Sequence, residues 1–174
     1  MRRLARQSAE SIVYGKILVP VDGSRTATLG LWEALKLAQD HGAQVRVIHV
    51  LDDLVAASAA ASGDQLVEQL RSAGTSILNE AAAAARDAHV AVDTKLIEIT
   101  GGRAGAYIVQ EAQTWPADLI VCGTHGRHGI GRVVMGSDAE DILRHSPVPV
   151  LLVPSHPPAA HERPKVVNEL TARV

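Results

Sequence analysis

Aromatic residues and cysteine are almost missing from this sequence. Phenylalanine is absent, aromatic residues make up 2% of the 174 positions, and Cys122 is the lone cysteine. A single cysteine excludes an internal disulfide and a cysteine-based zinc site, and it suits a reducing compartment. The core must then be filled by Val, Ile, Leu and Ala, which are typical of buried parallel strands and the helices that cover them. This composition favours a layered α/β domain.

The sequence also lacks an excess of charge and a long apolar run. Its 17 Lys and Arg against 19 Asp and Glu give a net charge of −2, so no global field would attract nucleic acid or an anionic membrane. No apolar run approaches membrane-spanning length, and residues 5–11 are too polar for the core of a signal peptide. We therefore expect a cytoplasmic protein that binds neither nucleic acid nor membrane.

Short apolar runs alternate with helical patterns along the chain. The apolar runs predict five strands, at residues 16–21, 44–50, 90–99, 118–123 and 148–153. Four helices are predicted between them, the first ending before Gly42, the second following a loop over residues 51–63, and the others over residues 104–114 and 136–145. Strict alternation with short links requires right-handed crossovers, so we predict a three-layer α/β/α fold with a mostly parallel, doubly wound sheet.

Length and pattern also predict the domain organisation. The chain is long enough for one domain of ordinary size. Residues 14–154 carry the alternating pattern and form the predicted domain. Residues 1–13 and 155–174 hold charges, Pro and Ala without sustained periodicity, so we expect a flexible N-terminal extension and a flexible C-terminal tail.

A glycine-rich segment follows the fourth predicted strand. Gly123 and Gly126 are followed by nine residues and then by Gly136 and Ser137, which open a helix. Glycines at a strand end let backbone N–H groups approach an anion, while a helix N-terminus supplies unpaired donors and the positive end of a dipole. In a doubly wound sheet, ligands bind beyond the carboxyl ends of the strands. The segment therefore predicts a phosphate-binding site.

Three separated motifs carry a family resemblance. The glycine segment, the sequence ILVPVDGS at residues 17–24, and His49 with Val50 at the end of the second strand occur in this order. Together they resemble the nucleotide-binding signature of ATP-binding universal stress proteins, over a stretch from Tyr14 to Val153. The resemblance implies a Rossmann-like fold that binds ATP, with Mg²⁺ held through phosphate oxygens rather than by protein side chains. It also implies a homodimer formed through residues 148–153.

The same resemblance implies which residues contact the nucleotide. The turn after the first strand and the end of the second strand would hold adenine and ribose, through Pro20, Val21, Asp22 and Val50. The end of the fourth strand and the loop after it would lie beside ribose and phosphates, with Cys122, Gly123, His125 and Gly126. The final helix would surround the triphosphate with Gly136, Ser137, Asp138 and Ala139. Arg127, next to the glycines, is a candidate phosphate clamp on the strength of its charge.

Several of these residues also have interpretations that need no ligand. Ser137 begins an S-x-x-E pattern with Glu140, which is a helix capping box. Asp22 precedes a glycine, as in a turn, and the Cys122 thiol lies in an apolar strand where core packing is the ordinary role. Asp138 departs from the expected pattern, because its carboxylate can occupy the positive helix end that a phosphate would use, or lie near magnesium.

Three functions compete at this stage. The first is a regulatory protein in which bound ATP changes the dimer surface or the choice of an unidentified protein partner. The second is a slow ATPase or phosphotransfer enzyme, for which no residue clearly supplies the nucleophile. The third is a nucleotide-independent dimeric interaction module. His49 and His125 do not lie at metal-ligand spacing. Every glycine of the motif and Ser137 are present, so the sequence favours the regulatory, non-enzymatic function that binds ATP.

Overall fold

Strands and helices alternate throughout the part of the chain that the structure describes. A computed structural model describes residues 14–52, 63–124 and 135–154. In chain order, its elements are β1 (Lys16–Pro20), α1 (Arg25–His41), β2 (Gln44–Asp52), α2 (Gly63–Asp87), β3 (Val92–Ile99), α3 (Ala104–Thr114), β4 (Leu119–Gly123), α4 (Ser137–His145) and β5 (Val150–Val153). The predicted tails at 1–13 and 155–174 lie outside the described residues.

The strands form one parallel sheet with the order β3-β2-β1-β4-β5. The chain therefore winds outward from β1 through β2 to β3, then crosses to the other side of β1 and continues with β4 and β5. This confirms the predicted doubly wound α/β fold. The direction of winding reverses between β1 and β4, and the carboxyl ends of strands at such a switch point border the crevice where ligands bind.

Two apolar layers lie on opposite faces of the sheet. Alternate strand residues face alternate layers, because successive side chains of a strand point to opposite faces. The layer with α1 and α2 contains Ile17, Val19, Val45, Val47 and Val121. The layer with α3 and α4 contains Leu18, Ile48, Ile120, Cys122 and Ile142. The core is thus built from small branched and aliphatic side chains, as the composition predicts.

Two strands begin two residues later than the apolar runs that predict them. β5 begins at Val150 rather than at residue 148, because Pro149 has no N–H for the sheet and the Val148 N–H donates to Ser146 Oγ at 3.2 Å. β3 begins at Val92 rather than at residue 90, because the Val90 N–H donates to the Ala85 carbonyl at 2.9 Å and closes the end of α2. Local hydrogen bonds, rather than the apolar pattern, therefore set both boundaries.

Among residues 14–52, 63–124 and 135–154, no helix combines the length and apolar character that crossing a bilayer requires.

Candidate functional site

Two hydrogen bonds hold Val21, the residue that follows β1, against β2. β1 ends at Pro20, and the next residue, Val21, donates its N–H to the Ile48 carbonyl at 2.8 Å. The Val21 carbonyl lies 2.7 Å from Nδ1 of the buried His49 side chain. Both polar groups of Val21 are therefore paired with β2, so the start of the following turn has a fixed position.

The turn after Val21 leads directly into α1. The Asp22 carboxylate accepts a hydrogen bond from the Ser24 N–H at 2.9 Å, and Gly23 has a φ of 80° that suits glycine. Ser24 then caps α1, because its hydroxyl oxygen accepts from the Ala27 N–H at 3.2 Å. The turn interpretation of Asp22 is therefore confirmed, while contact between Asp22 and a nucleotide stays a prediction.

Two backbone hydrogen bonds at Thr124 connect the end of β4 to β5 and to the start of α4. Thr124 donates its N–H to the Val153 carbonyl at 3.0 Å, and Gly136 donates its N–H to the Thr124 carbonyl at 2.9 Å. The second bond sets the N-terminus of α4 beside the carboxyl end of β4. Three predicted contacts, His125, Gly126 and Arg127, fall between these two points and lie outside the described residues.

The N-terminus of α4 differs from the predicted capping box. Gly136 is the N-cap, with φ −63° and ψ 148°, and Ser137 is already the first helical residue. The Ser137 hydroxyl therefore lies one position too late to cap the helix, and Glu140 pairs with Arg144 at 2.9 Å instead. The prediction of a box formed by Ser137 and Glu140 is wrong. The N-cap residue, Gly136, has no side chain that could accept a hydrogen bond from the N–H groups of the first turn. These N–H groups have no partner within the helix.

Asp138 lies in this first turn and also reaches the neighbouring helix. Its Oδ1 atom is 3.4 Å from the backbone N of Gly105, in the first turn of α3. The two helices touch there, because a Cβ added to Gly105 would lie 2.7 Å from Cβ of Asp141. Arg103, the N-cap of α3, makes no side-chain capping bond. Asp138 is therefore an exposed carboxylate close to the positive ends of two helix dipoles.

Gly123, at the end of β4, has a packing reason to be glycine that the sequence analysis missed. A Cβ at this position would lie 2.9 Å from both the backbone C and the Cβ of Thr26 in α1. The same helix approaches β4 again at Gly30, whose added Cβ would lie 3.4 Å from the Cys122 backbone. A glycine inside the predicted first helix was the signal for this close approach. Phosphate binding is therefore not needed to explain Gly123.

The Cys122 thiol belongs to the core. The residue is buried in the layer with α3 and α4. Burial raises the pKa of this thiol to about 12, because the thiolate would have to form away from water. The core-packing interpretation of Cys122 is confirmed, and at neutral pH the thiol is protonated.

The remaining predicted positions lie at the same edge of the sheet. Val50 is near the carboxyl end of β2, half-buried in the layer with α3 and α4, and pairs in register with Ile97. Ala139 is buried in the first turn of α4. β2, β1 and β4 lie side by side in this order, so the described candidates lie at one edge of the sheet. They are Pro20, Val21, Asp22, Val50, Cys122, Gly123, Gly136, Ser137, Asp138 and Ala139. Within the described ranges, no three His, Cys, Asp or Glu residues form a group able to hold a metal ion.

Comparison with known families decides the identity of this fold. The model of the universal stress protein family matches residues 14–154. The chain belongs to the universal stress protein family. The match covers the described sheet and both of its helix layers, so family membership rests on the whole domain rather than on the glycine segment alone.

Related universal stress proteins support this assignment. One from Methanocaldococcus jannaschii is 33% identical over 143 residues, which is 81% of this chain and 82% of that protein. A solved structure of a family member from Burkholderia pseudomallei is 31% identical, has a TM-score of 0.67, and is matched over 83% of this chain and 98% of its own. The universal stress protein UspA from Lactobacillus plantarum is 28% identical with a TM-score of 0.68, over 82% of this chain and 99% of its own.

Proposed function

We propose that this universal stress protein binds ATP at the carboxyl edge of its sheet and acts as a nucleotide-dependent regulatory factor in the stress response. It works in the cytoplasm as a homodimer, and it is not an enzyme. The observation that carries the proposal is the 2.9 Å bond from the Gly136 N–H to the Thr124 carbonyl. This bond keeps a helix N-terminus beside the end of β4, at the switch point of the sheet.

The phosphates fit the N-terminus of α4. Gly136 presents no side chain there, and the N–H groups of the first turn have no partner within the helix. Unpaired donors and the positive dipole end together favour an anion. Ser137 and Ala139 would contribute backbone N–H groups, while Gly136, whose own N–H is bonded to Thr124, would let the phosphates approach because it has no side chain. Mg²⁺ would bind phosphate oxygens and retain several waters. Arg127 and the glycines before it would complete the phosphate site.

Adenine and ribose fit the ends of β1 and β2. The Val21 backbone is fixed, the Asp22 carboxylate is half-buried, and Val50 offers an apolar surface nearby. Two solved universal stress proteins of this fold, 21% and 24% identical, are complexes with cAMP and with dAMP. Both ligands contain adenine and ribose or deoxyribose joined to phosphate. The fold therefore accommodates the ligand class that we propose.

The position of β5 supports the proposed homodimer. This strand ends the sheet on one side, and all four of its residues, Val150–Val153, are apolar and only half-buried. An exposed apolar edge invites pairing with another chain unless it is covered. A two-fold dimer through β5 covers the β5 edge of both chains at once.

A second candidate function is a nucleotide-independent dimeric interaction module. Asp138 favours it, since the carboxylate already lies close to the positive ends of α3 and α4, where a phosphate would meet repulsion. The packing of Gly123 against Thr26 also favours the interaction module, because this contact explains the glycine without any ligand. Under this candidate, the same dimer would form with or without ATP.

Calorimetric titration separates the two candidates. Purified protein, first checked for bound nucleotide, is titrated with ATP and Mg²⁺ and in parallel with GTP and Mg²⁺. We expect selective ATP binding with one site per chain. Absence of binding by nucleotide-free protein would refute the ATP proposal and favour the interaction module. Sedimentation with and without ATP then tests whether the dimer responds to the nucleotide.

The glycine at the N-cap of α4 supplies a site-specific test. Gly136→Val adds a branched side chain where the phosphates should lie, and its extended backbone conformation accepts valine. We expect ATP affinity to fall at least tenfold with little change in the melting temperature. Gly15→Val is the matched control at the opposite edge of the sheet, where an added Cβ meets Asp118 Oδ2 at an ordinary 3.4 Å. Equal affinity of both variants would remove Gly136 from the site.

A further inference from the structure

His49 is a buried imidazole that the proposed phosphate site does not use. It lies near the end of β2, on the face covered by α2, and is 6% exposed. Its Nδ1 atom is 2.7 Å from the Val21 carbonyl oxygen. A carbonyl oxygen can only accept, so Nδ1 carries the proton and donates it. In the neutral form of the ring, the lone pair then lies on Nε2.

The hydrogen bond from His49 acts where regular strand pairing ends. The last register pair between the strands joins Pro20 to Ile48, and the Val21 N–H still bonds to β2. Beyond this point the chain turns toward α1. A side chain of β2 thus bonds the first carbonyl after β1. It fixes the peptide group that joins Val21 to Asp22.

Fixing this peptide group positions the whole entry to α1. The Asp22 carboxylate accepts a hydrogen bond from the Ser24 N–H at 2.9 Å. The Ser24 hydroxyl in turn caps α1 by accepting from the Ala27 N–H. These bonds form an unbroken series from the imidazole to the helix. A shift of the Val21 carbonyl would therefore move the Asp22 carboxylate with it.

The helix that packs on His49 leaves room for its ring at one glycine. Gly74 lies inside the 25-residue helix α2, where glycine is unfavourable by about 0.5–1 kcal/mol relative to alanine. A Cβ at Gly74 would lie 2.7 Å from the His49 Cδ2 atom and 3.0 Å from a methyl carbon of Leu96. Real Cβ atoms do not approach that closely. Gly74 is thus the position that allows the imidazole to occupy its place.

We infer that His49 is a positioning residue for nucleotide binding, which holds the Val21 carbonyl and the Asp22 turn in the geometry that receives adenosine. Gly74 is its partner in this role, because it admits the ring. His49 does not touch the nucleotide in this arrangement. The inference rests on the proposed ATP site, but the hydrogen bond itself can be tested without any ligand.

Two substitutions at His49 separate the donor from the rest of the side chain. His49→Leu fills the space without a donor, whereas the amide N of His49→Asn can replace Nδ1, since both are bonded to Cγ. We expect His49→Leu to weaken ATP binding about tenfold and His49→Asn to stay within about threefold of the wild type. Circular dichroism and thermal unfolding confirm that each variant is folded. Equal affinities for the two variants, whether both unchanged or both weakened, would overturn the inference.

Nuclear magnetic resonance provides the readout that does not depend on ATP. In the wild type, ¹⁵N shifts of the imidazole should report a protonated Nδ1 and an unprotonated Nε2. His49→Leu should shift the amide signals of residues 22–24 and speed their hydrogen exchange, while His49→Asn should restore both. Failure of ATP to bind the wild type would remove the proposed function alone. Unperturbed signals of residues 22–24 in His49→Leu would remove the positioning role.

Gly74→Ala gives an independent variant that keeps the imidazole. The added Cβ should displace the ring and weaken its bond to Val21, so we expect the signals of residues 22–24 to change and ATP affinity to fall several-fold. Ser72→Ala, at an exposed position of the same helix, controls for the better helix propensity of alanine. Wild-type affinity and wild-type signals for Gly74→Ala would contradict the role of Gly74.

Discussion

The two ends of β1 are held by side chains of opposite character. At the amino end, the Asp118 carboxylate beside β4 accepts the N–H groups of Gly15 at 2.9 Å and Lys16 at 2.8 Å. At the carboxyl end, the His49 imidazole of β2 donates to the Val21 carbonyl. An acceptor serves the end with free N–H groups and a donor serves the end with free carbonyls. The chemical type of the side chain at each end therefore follows from the direction of the strand.

A network of charged side chains surrounds one buried carboxylate near the amino ends of β2 and β3, where Arg46 and Asp93 lie. Glu111, on α3, is 4% exposed and accepts from Arg46 Nη1 at 2.8 Å and Lys95 Nζ at 2.6 Å. Arg46 also pairs with Asp93, and its guanidinium lies 4.7 Å from the centre of the buried Trp115 ring. This group, Arg46, Asp93, Lys95, Glu111 and Trp115, is the amino-end network. We expect it to stabilise the fold, while the carboxyl end binds the ligand.

The largest expected effect comes from removing the carboxylate of the network. Glu111→Ala leaves the guanidinium of Arg46 and the ammonium of Lys95 without their shared partner near the core. Because Lys95 is partly exposed and Arg46 retains Asp93, we expect a loss of about 2–3 kcal/mol in the free energy of unfolding. Urea unfolding measures it. ATP affinity of the folded variant should equal that of the wild type. A large loss of affinity would contradict the expectation that the network stabilises the fold while the carboxyl end binds the ligand.

The pH dependence of stability sharpens this prediction. Burial raises the pKa of Glu111, but the hydrogen bonds and charges of Lys95 and Arg46 outweigh burial and hold the pKa below its ordinary 4.5. A lowered pKa in the folded state stabilises the protein above pH 4.5, and this contribution is lost as the pH falls further. We expect Glu111→Gln to lose less stability than the wild type between neutral pH and acid. Identical pH profiles would exclude a charged Glu111 from the stability of the fold.

A smaller effect is expected at the start of β1. Asp118→Ala removes the acceptor for two backbone N–H groups at an exposed position, where water can replace part of the loss. We expect the free energy of unfolding to fall by about 1 kcal/mol. Asp118→Asn keeps one carbonyl acceptor and should recover part of this loss. Hydrogen exchange of residues 15 and 16 locates the effect, and protection unchanged in Asp118→Ala would show that the carboxylate does not hold this end.

Most of the fold could be predicted from the sequence because its signals are local and repeated. The buried strand β4 (Leu119–Gly123) is a continuous apolar run, and the alternation of strands with helices dictates right-handed parallel crossovers. The boundaries at Val92 and Val150 could not be predicted, since they depend on which carbonyl or hydroxyl receives a particular N–H group. Apolar pattern does not report that competition.

The motifs predicted which residues lie at the carboxyl edge of the sheet, while the reasons for several of these residues depend on contacts distant in sequence. Gly123 faces Thr26, and Gly74 faces His49, so neither glycine can be explained from its own segment. The S-x-x-E pattern misplaced the cap by one residue, because Gly136 already occupies the N-cap position with extended backbone dihedral angles. Motifs show which residues gather at a strand end, whereas packing shows what each of them does.

The smallest expected effect lies at the carboxyl end, where one residue departs from the phosphate-binding pattern. Asp138→Asn removes a negative charge from the first turn of α4 but keeps a polar side chain near the Gly105 N–H. If phosphate and carboxylate compete for the helix dipole, ATP affinity should rise about three- to fivefold, within the range of dipole interactions. Titration calorimetry with Mg²⁺ measures the change. Glu80→Gln alters the net charge equally from an exposed position of α2, and an equal gain in that control would assign the effect to general charge. A loss of affinity in Asp138→Asn would instead place the carboxylate beside magnesium, so that this end of the sheet would hold its ligand with an acid, as the amino end holds β1.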